Sequence, residues 1–381
     1  MKKIIIISFS LITIFVFTLV VLKTFGIDIR YKSKIHKSKQ YSQKNESDAQ
    51  TTNQNINNIK IIGVGDIMLG TNFPNNSYLP PNDGRNILKN VEHILKNADI
   101  TFGNLEGVFL TQDGNVKTCD DPKVCYSFKM PDHYVRNLEL AGFDILSIAN
   151  NHIGDFGKIG IENTINVLNL AGINYAGLNF CPFTIFEKNG IKYGFTAFAP
   201  NPETLSINDY EQMERIVPHL DSICDIVIVS FHGGAEGKTK RNLTFENEIF
   251  LEENRGNPNK FARAAIDAGA DIIFGHGPHV TRAIDIYKEK FIAYSLGNFA
   301  TYGRFNISGV CGVSPIIELE VDNKGNFIYG KITSTRQIGR GIPVIDIKNK
   351  ALIEIIELTK QDIPNCNLII KKNGFISIKK N

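Results

Sequence analysis

Hydrophobic and polar positions fall into distinct regimes along this chain. Residues 4–22 are apolar without one charge, a stretch long enough to cross a bilayer. Residues 40–58 are the reverse, rich in Asn, Gln, Ser, Thr and Asp, with too little to bury to offset the entropy of ordering them. From residue 60 onward short apolar runs recur. Those at 60–64, 144–148, 226–230 and 271–274 have the length and the bounding turn residues of buried strands. Helix-spaced stretches at 86–96, 131–141, 160–171 and 260–268 alternate with them up to about residue 274. The pattern then turns to hairpins: 284–287 with 291–294 around Lys288-Glu289-Lys290, and 315–321 with 327–334 around Asn323-Lys324-Gly325. This predicts an α/β fold with a mixed sheet, or two packed sheets, covered by helices. Residues from 351 on read as a short β-rich appendage. The expected division is a transmembrane signal anchor at 1–24, a polar tether at 25–58, the main domain at 59–345 and the appendage at 346–381.

Composition narrows this picture. A chain of 381 residues with 43% hydrophobic content can build a substantial core. The formal charge of +3 is small, and much of the positive excess lies at 30–44, outside the core, so charge gives nucleic-acid binding no support. Six cysteines in a chain this long are no disulfide framework, although Cys119 and Cys125 are close enough to pair across a loop in an oxidising compartment. Met1-Lys2-Lys3 precedes the apolar stretch, and Lys23-Thr24-Phe25-Gly26 after it offers no small-x-small cleavage site. That reads as an uncleaved anchor. Its orientation stays open on charge alone, because Lys2 and Lys3 favour a cytoplasmic amino end while Lys23, Arg30, Lys32, Lys34 and Lys37 oppose it.

The candidate chemistry stands at strand ends. Asp66 lies in Gly65-Asp66-Ile67-Met68, Glu106 in Gly103-Asn104-Leu105-Glu106-Gly107, and Asn150, Asn151, His152 and Asp155 follow the run at 144–148. His232 precedes two glycines, and His276 and His279 share the constrained turn Gly275-His276-Gly277-Pro278-His279. Taken singly, Asp66 reads as a turn cap, the asparagines as an Asn-rich turn and His232 as a buried core histidine. Taken together they suit a metal centre, since side chains just past the carboxyl ends of parallel strands converge on one crevice. Two rival motifs fail. Gly63-Val64-Gly65 lacks the third glycine of a dinucleotide loop, where Met68 stands, and residues 232–239 nearly match a phosphate-binding loop but put Glu236 in the cradle. No Gly-x-Ser-x-Gly occurs for a serine hydrolase.

Gly65-Asp66-Ile67-Met68-Leu69-Gly70, Asn104-Leu105-Glu106-Gly107, Ala149-Asn150-Asn151-His152, Gly275-His276-Gly277-Pro278-His279 and Tyr294-Ser295-Leu296-Gly297-Asn298-Phe299 resemble the CapA-type capsule synthesis family over roughly residues 61–334. That family is associated with poly-γ-glutamate capsule formation and is membrane-anchored with its domain outside the cytoplasm, which implies a single-pass, extracytoplasmic placement here. Its domain is similar to calcineurin-like metallophosphoesterases. The resemblance therefore implies a four-layer α/β/β/α sandwich and one or two divalent ions, Mn, Fe or Zn suiting the mixed donors. One position would take Asp66, Glu106 and His279, the other Glu106, Asn151, His232 and His276. This chain departs from the phosphoesterase pattern in three places: Met68 replaces a histidine, Glu106 an aspartate, and two residues rather than one separate His276 from His279. Two functions follow as expectations. The first is hydrolysis or transfer at a phosphoester or similar anionic ester of the envelope, with His152 protonating the leaving group and Asp155 orienting it. The second is a non-catalytic accessory that holds an anionic capsule polymer or stabilises a membrane synthase complex. Lys158, Arg282 and Arg304 read as surface charges before anion contacts.

Overall fold

Ile61 and Ile62 are neighbours in sequence but belong to different cores, and that alternation sets the architecture. The computed structural model describes residues 58–119 and 125–379. The expected anchor and tether lie outside the described residues, and among the described residues no helix is long and apolar enough to cross a membrane.

Strand Ile59–Met68 runs through the middle of a ten-stranded mixed sheet. Strands Ile100–Leu105, Ile145–Ser147 and Asn174–Ala176 follow it in parallel on one side. On the other side its first half pairs antiparallel with Val313–Val321 and its last residues pair in parallel with Asn298–Thr301. A second, six-stranded sheet has Ile191–Phe198, Ile226–His232, Ile272–His276 and Lys290–Ala293 in parallel, with an antiparallel strand at each edge. Side chains alternate across a strand. Ile61, Phe102 and Ile145 therefore point from the first sheet into a core shared with Phe195, Ile228 and Phe274 of the second. Phe102 stacks on Phe274 with centroids 4.9 Å apart, so the two sheets lie face to face. Ile62, Val64, Leu105 and Leu146 point the other way, onto helices Val135–Ala141 and Gly157–Ala171 through Leu138, Val167 and Leu168. Helices Tyr210–Asp221 and Pro258–Asp267 cover the second sheet, where Phe261 meets Phe198 and Phe231. Helices thus cover the outer faces of two facing sheets, an α/β/β/α layering within a mixed α/β fold.

Both expected hairpins form, as strands Ile284–Tyr287 with Lys290–Ala293 and Val313–Val321 with Phe327–Ile338. Two expectations need correction, and one helix was not expected. The stretch 86–96 buries the apolar residues its spacing marked, Ile87, Leu88, Val91 and Leu95, but does so mostly in turns, with α-helix only at Glu92–Leu95. Helix Tyr210–Asp221 was not expected; Asp209 caps it by accepting from Gln212 N at 2.9 Å, and Pro218 in its last turn disguises it. The carboxyl-terminal stretch is not simply β-rich. It begins with helix Lys350–Asp362, and strands Leu368–Ile370 and Phe375–Ile378 then extend the ten-stranded sheet through strand Phe327–Ile338.

Gly65 marks the tightest approach near the crevice. A Cβ there would lie 1.9 Å from the Gly297 carbonyl oxygen, a backbone atom that cannot rotate away. Gly65→Ala should therefore destabilise the fold by about 2 kcal/mol or more, measured as a shift in denaturant midpoint. An unchanged midpoint would contradict this packing.

Candidate metal centre

Asp66 is aimed by an irregular strand. Its pairing to Ile100–Leu105 shifts register between Gly63 and Asp66, and its pairing to Asn298–Thr301 shifts between Asp66 and Ile67. Such breaks re-aim a side chain. The fully buried carboxylate accepts from Asn104 Nδ2 and His276 Nδ1 at Oδ1, and from His279 Nδ1 at Oδ2, each at 2.9 Å. Burial alone would raise its pKa, but the two histidines override burial and hold it far below the usual carboxylate range. An ionised carboxylate only accepts, so both imidazoles present Nδ1–H to it. His276 is left with a buried Nε2 that has no hydrogen-bond partner among the described residues.

His276 and His232 are register partners at the ends of parallel strands. Both ring nitrogens of His232 are buried and unpartnered among the described residues. Burial draws its pKa well below the ordinary value, so the ring is neutral and keeps a lone pair for a ligand. His279 stands in the left-handed region, φ 56°, where Asn298 Nδ2 donates to its carbonyl at 3.3 Å. Its Nε2 lies 3.3 Å from Glu106 Oε1 and 3.8 Å from Glu236 Oε2. Burial pulls its pKa down, but Glu106, Asp66 and Glu236 outweigh burial and lift it to about 10. Burial, with Asp66 and Glu236 beside it, raises Glu106 well above the usual carboxyl value.

Two donor groups result. Asp66, Glu106 and His279 each offer one ligand atom, all within 4.8 Å of one another. Beside them, Glu106 Oε1, Asn151 Oδ1, His276 Nε2 and both nitrogens of His232 are buried without hydrogen bonds among the described residues. A buried polar atom left unsatisfied costs about 1–3 kcal/mol, so several together call for a bound group. Mixed imidazole, carboxylate and amide donors fit a divalent cation of the Mn, Fe or Zn kind. Met68, where a histidine would strengthen the first group, instead accepts from Gly70 N through its sulfur at 3.3 Å.

His152 sits beside these groups on the wall of a cavity of about 350 Å³ that also exposes Asn151, Glu236, His279 and Asn298. Asp155 Oδ2 faces its Nδ1 at 2.9 Å and accepts from Phe128 N at 2.6 Å, while Oδ1 meets Lys117 Nζ at 2.5 Å. That fixes the ring so that Nε2 is the atom left to exchange a proton. Burial lowers the His152 pKa despite Asp155, which leaves Nε2 with a free lone pair near neutral pH, able to take up a proton and pass it on. Asn150 Oδ1 accepts from His152 N at 3.1 Å, and Asn150 Nδ2 donates to Asn104 Oδ1 at 3.1 Å and to Leu105 O at 2.8 Å. Asn104 and Asn150 thus link Asp66 to His152. Sequence reasoning placed Asn150 in the candidate cluster without naming it a ligand and gave Asn104 no role, although both stand inside the singled-out blocks. It also missed Lys117 and treated Glu236 only as a flaw in a phosphate loop.

The three discounted cations part company. Lys158 pairs with Glu162 at the surface. Arg282 is a correction: it is fully buried, its guanidinium bound to both Glu248 oxygens at 2.8 Å. Arg304 lines the cavity. Cys119 and Cys125 are joined, and Cys119 reaches the same wall.

Fold and site together define a mixed α/β protein with a candidate divalent-metal centre where strand ends of two facing sheets meet. The chain belongs to the bacterial capsule synthesis protein PGA_cap family, whose model matches residues 60–302. It is 30% identical over 363 residues to capsule biosynthesis protein CapA of Bacillus anthracis, an alignment covering 89% of this chain and 82% of that protein. To PGA biosynthesis protein CapA of Bacillus subtilis strain 168 it is 31% identical over 252 residues, covering 62% and 61%. Among solved structures, a putative 5'-nucleotidase from Staphylococcus aureus in complex with alpha-ketoglutarate aligns with a TM-score of 0.42 at 14% identity, covering 76% of this chain and 54% of that one.

Replacing His276 by Ala, or Asp66 by Asn, should strip metal from the purified chain; stoichiometric metal retained by either variant, read by mass spectrometry, would count against the assignment. A cation entering between Glu106 and His279 must also displace the proton that this pair holds at neutral pH. Apparent metal affinity should then rise with pH through the neutral range by about tenfold per unit for each proton released. Calorimetry in buffers of different ionisation enthalpy reads that proton directly, and uptake without release would contradict the arrangement.

Proposed function

We propose that this capsule-family protein is a metal-dependent hydrolase or transferase acting on a phosphoester, or a similar anionic ester, of the cell envelope. The observation that carries the reading is the convergence of Asp66, Glu106 and His279 within 4.8 Å, next to a cavity wall that holds His152 against Asp155. In this reading Asp66, Glu106 and His279 would hold one divalent ion, and Glu106, Asn151, His232 and His276 would hold a second or share the first. A divalent ion held there would supply Lewis acidity for a phosphoryl oxygen and for an attacking water. The chain's own residues do the rest. Asp155, held by Phe128 N and Lys117, keeps His152 Nδ1 engaged so that Nε2, once protonated from solvent, delivers that proton to the departing oxygen. Phe128 and Phe305 wall the cavity beside that histidine and limit water access. Family membership supports a role in capsule formation of the poly-γ-glutamate type. An anchor at residues 1–24, with the domain outside the cytoplasm, places the site at the envelope.

A second reading has its own observation. Met68 spends its thioether on Gly70 N instead of adding an imidazole to the first donor group, which leaves that group at three ligands. A site that weak suits an accessory protein that grips an anionic polymer, or steadies a membrane synthase complex, through one bound ion.

Turnover separates the two. With manganese, the full-length chain should hydrolyse phosphomonoester or phosphodiester substrates, and His152→Ala should cut the rate by about 10²–10⁴-fold while metal content holds. A wild-type chain inert with Mn, Fe and Zn, yet still restoring capsule to a deletion strain, would favour the accessory.

A further inference from the structure

A row of rings leads from the site histidines to a fixed cation. His152 lies against Phe128 with centroids 4.4 Å apart, and His279 against Phe305 at 5.4 Å. Phe128 and Phe305 stack on each other at 4.9 Å, and Tyr126 continues the row 6.5 Å beyond Phe128. At its end the Arg304 guanidinium sits 5.3 Å from the Tyr126 ring and 5.2 Å from that of Tyr78. All but Tyr78 line the one cavity.

The other cations of that cavity are spoken for. Lys117 is held by Asp155, and Arg255 by Glu236 and Glu253. Arg304 differs, with ring contacts and no carboxylate partner among the described residues. Contact with the tyrosines restrains the guanidinium without consuming its N–H donors, and such a planar fork matches the oxygens of a carboxylate or phosphate.

We propose that Arg304 is a specificity residue, binding a second anionic group on the portion of the substrate that lies past His152. The substrate class is then an ester with its reacting anion at the histidines, a flat or apolar spacer along Phe128 and Tyr126, and a further anion at Arg304. This rests on the hydrolase reading for which portion departs, but the binding itself does not need turnover.

Two phosphonates test it without chemistry, because 4-phosphonobenzoate and phenylphosphonate differ only in the distal carboxylate and have no ester to cleave. Calorimetric titration of the manganese-loaded full-length chain should show a preference of about tenfold for 4-phosphonobenzoate, the scale of one charge-assisted contact. Arg304→Gln should erase that preference. Arg304→Lys should keep only part of it, since the charge remains and the planar fork is lost. Should Arg304→Gln fail to fold in thermal melting, Arg304→Lys carries the comparison, and an undiminished preference there overturns the proposal. So does equal or undetectable binding of both phosphonates to the wild-type chain, or a preference that survives Arg304→Gln. Turnover of 4-carboxyphenyl phosphate and phenyl phosphate is the separate arm. Absent turnover with the binding preference intact removes the hydrolase reading and leaves Arg304 in its role.

Discussion

The Asp66 carboxylate is the constraint on which this structure turns. A charge taken wholly out of water costs several kcal/mol unless donors replace the water, and three donors do so here. They come from Asn104, 38 residues away, and from His276 and His279, 210 and 213 residues away. Asp66 belongs to the ten-stranded sheet and His276 to the six-stranded one. Folding the two sheets onto each other and assembling the centre are therefore one event.

Backbone approach at the crevice is tuned to the same end. Gly277 has φ +114°, and a Cβ on it would come within 2.6 Å of the Gly233 carbonyl oxygen. Any larger residue would push the turn that carries His276 and His279 away from the one that follows His232. The charged segment after Gly237 is held over this region by Arg282 and Glu248, and it contributes Phe250 and Arg255 to the cavity wall. Rigid placement of donors before any ligand arrives is what lets weak individual groups act together.

Much of this was legible from residues alone, for reasons that can be named. Strand ends were readable because the runs before Asp66, Asn150, His232 and His276 are short, apolar and closed by Gly, Asn or Pro. The six expected ligands all lie at this crevice or on its cavity wall, because parallel strands deliver their carboxyl ends to one side. What stayed hidden depends on tertiary context. Helix Lys350–Asp362 buries Ala351, Leu352, Ile355, Leu358 and Thr359 at helical spacing, but its isoleucines carry a strand propensity that local reading followed. Arg282 could not be told from a surface charge until Glu248, 34 residues earlier, was seen to face it. Asn104 and Asn150 act on each other across 46 residues, a pairing no local pattern encodes.

The most direct test is anomalous diffraction from crystals of the full-length chain grown with manganese. The account predicts a peak in contact with Asp66, Glu106 and His279, with a second ion, if present, sharing Glu106 and reaching Asn151, His232 and His276. Density for manganese elsewhere on the surface, with these side chains keeping their hydrogen bonds to one another at saturating metal, would contradict it.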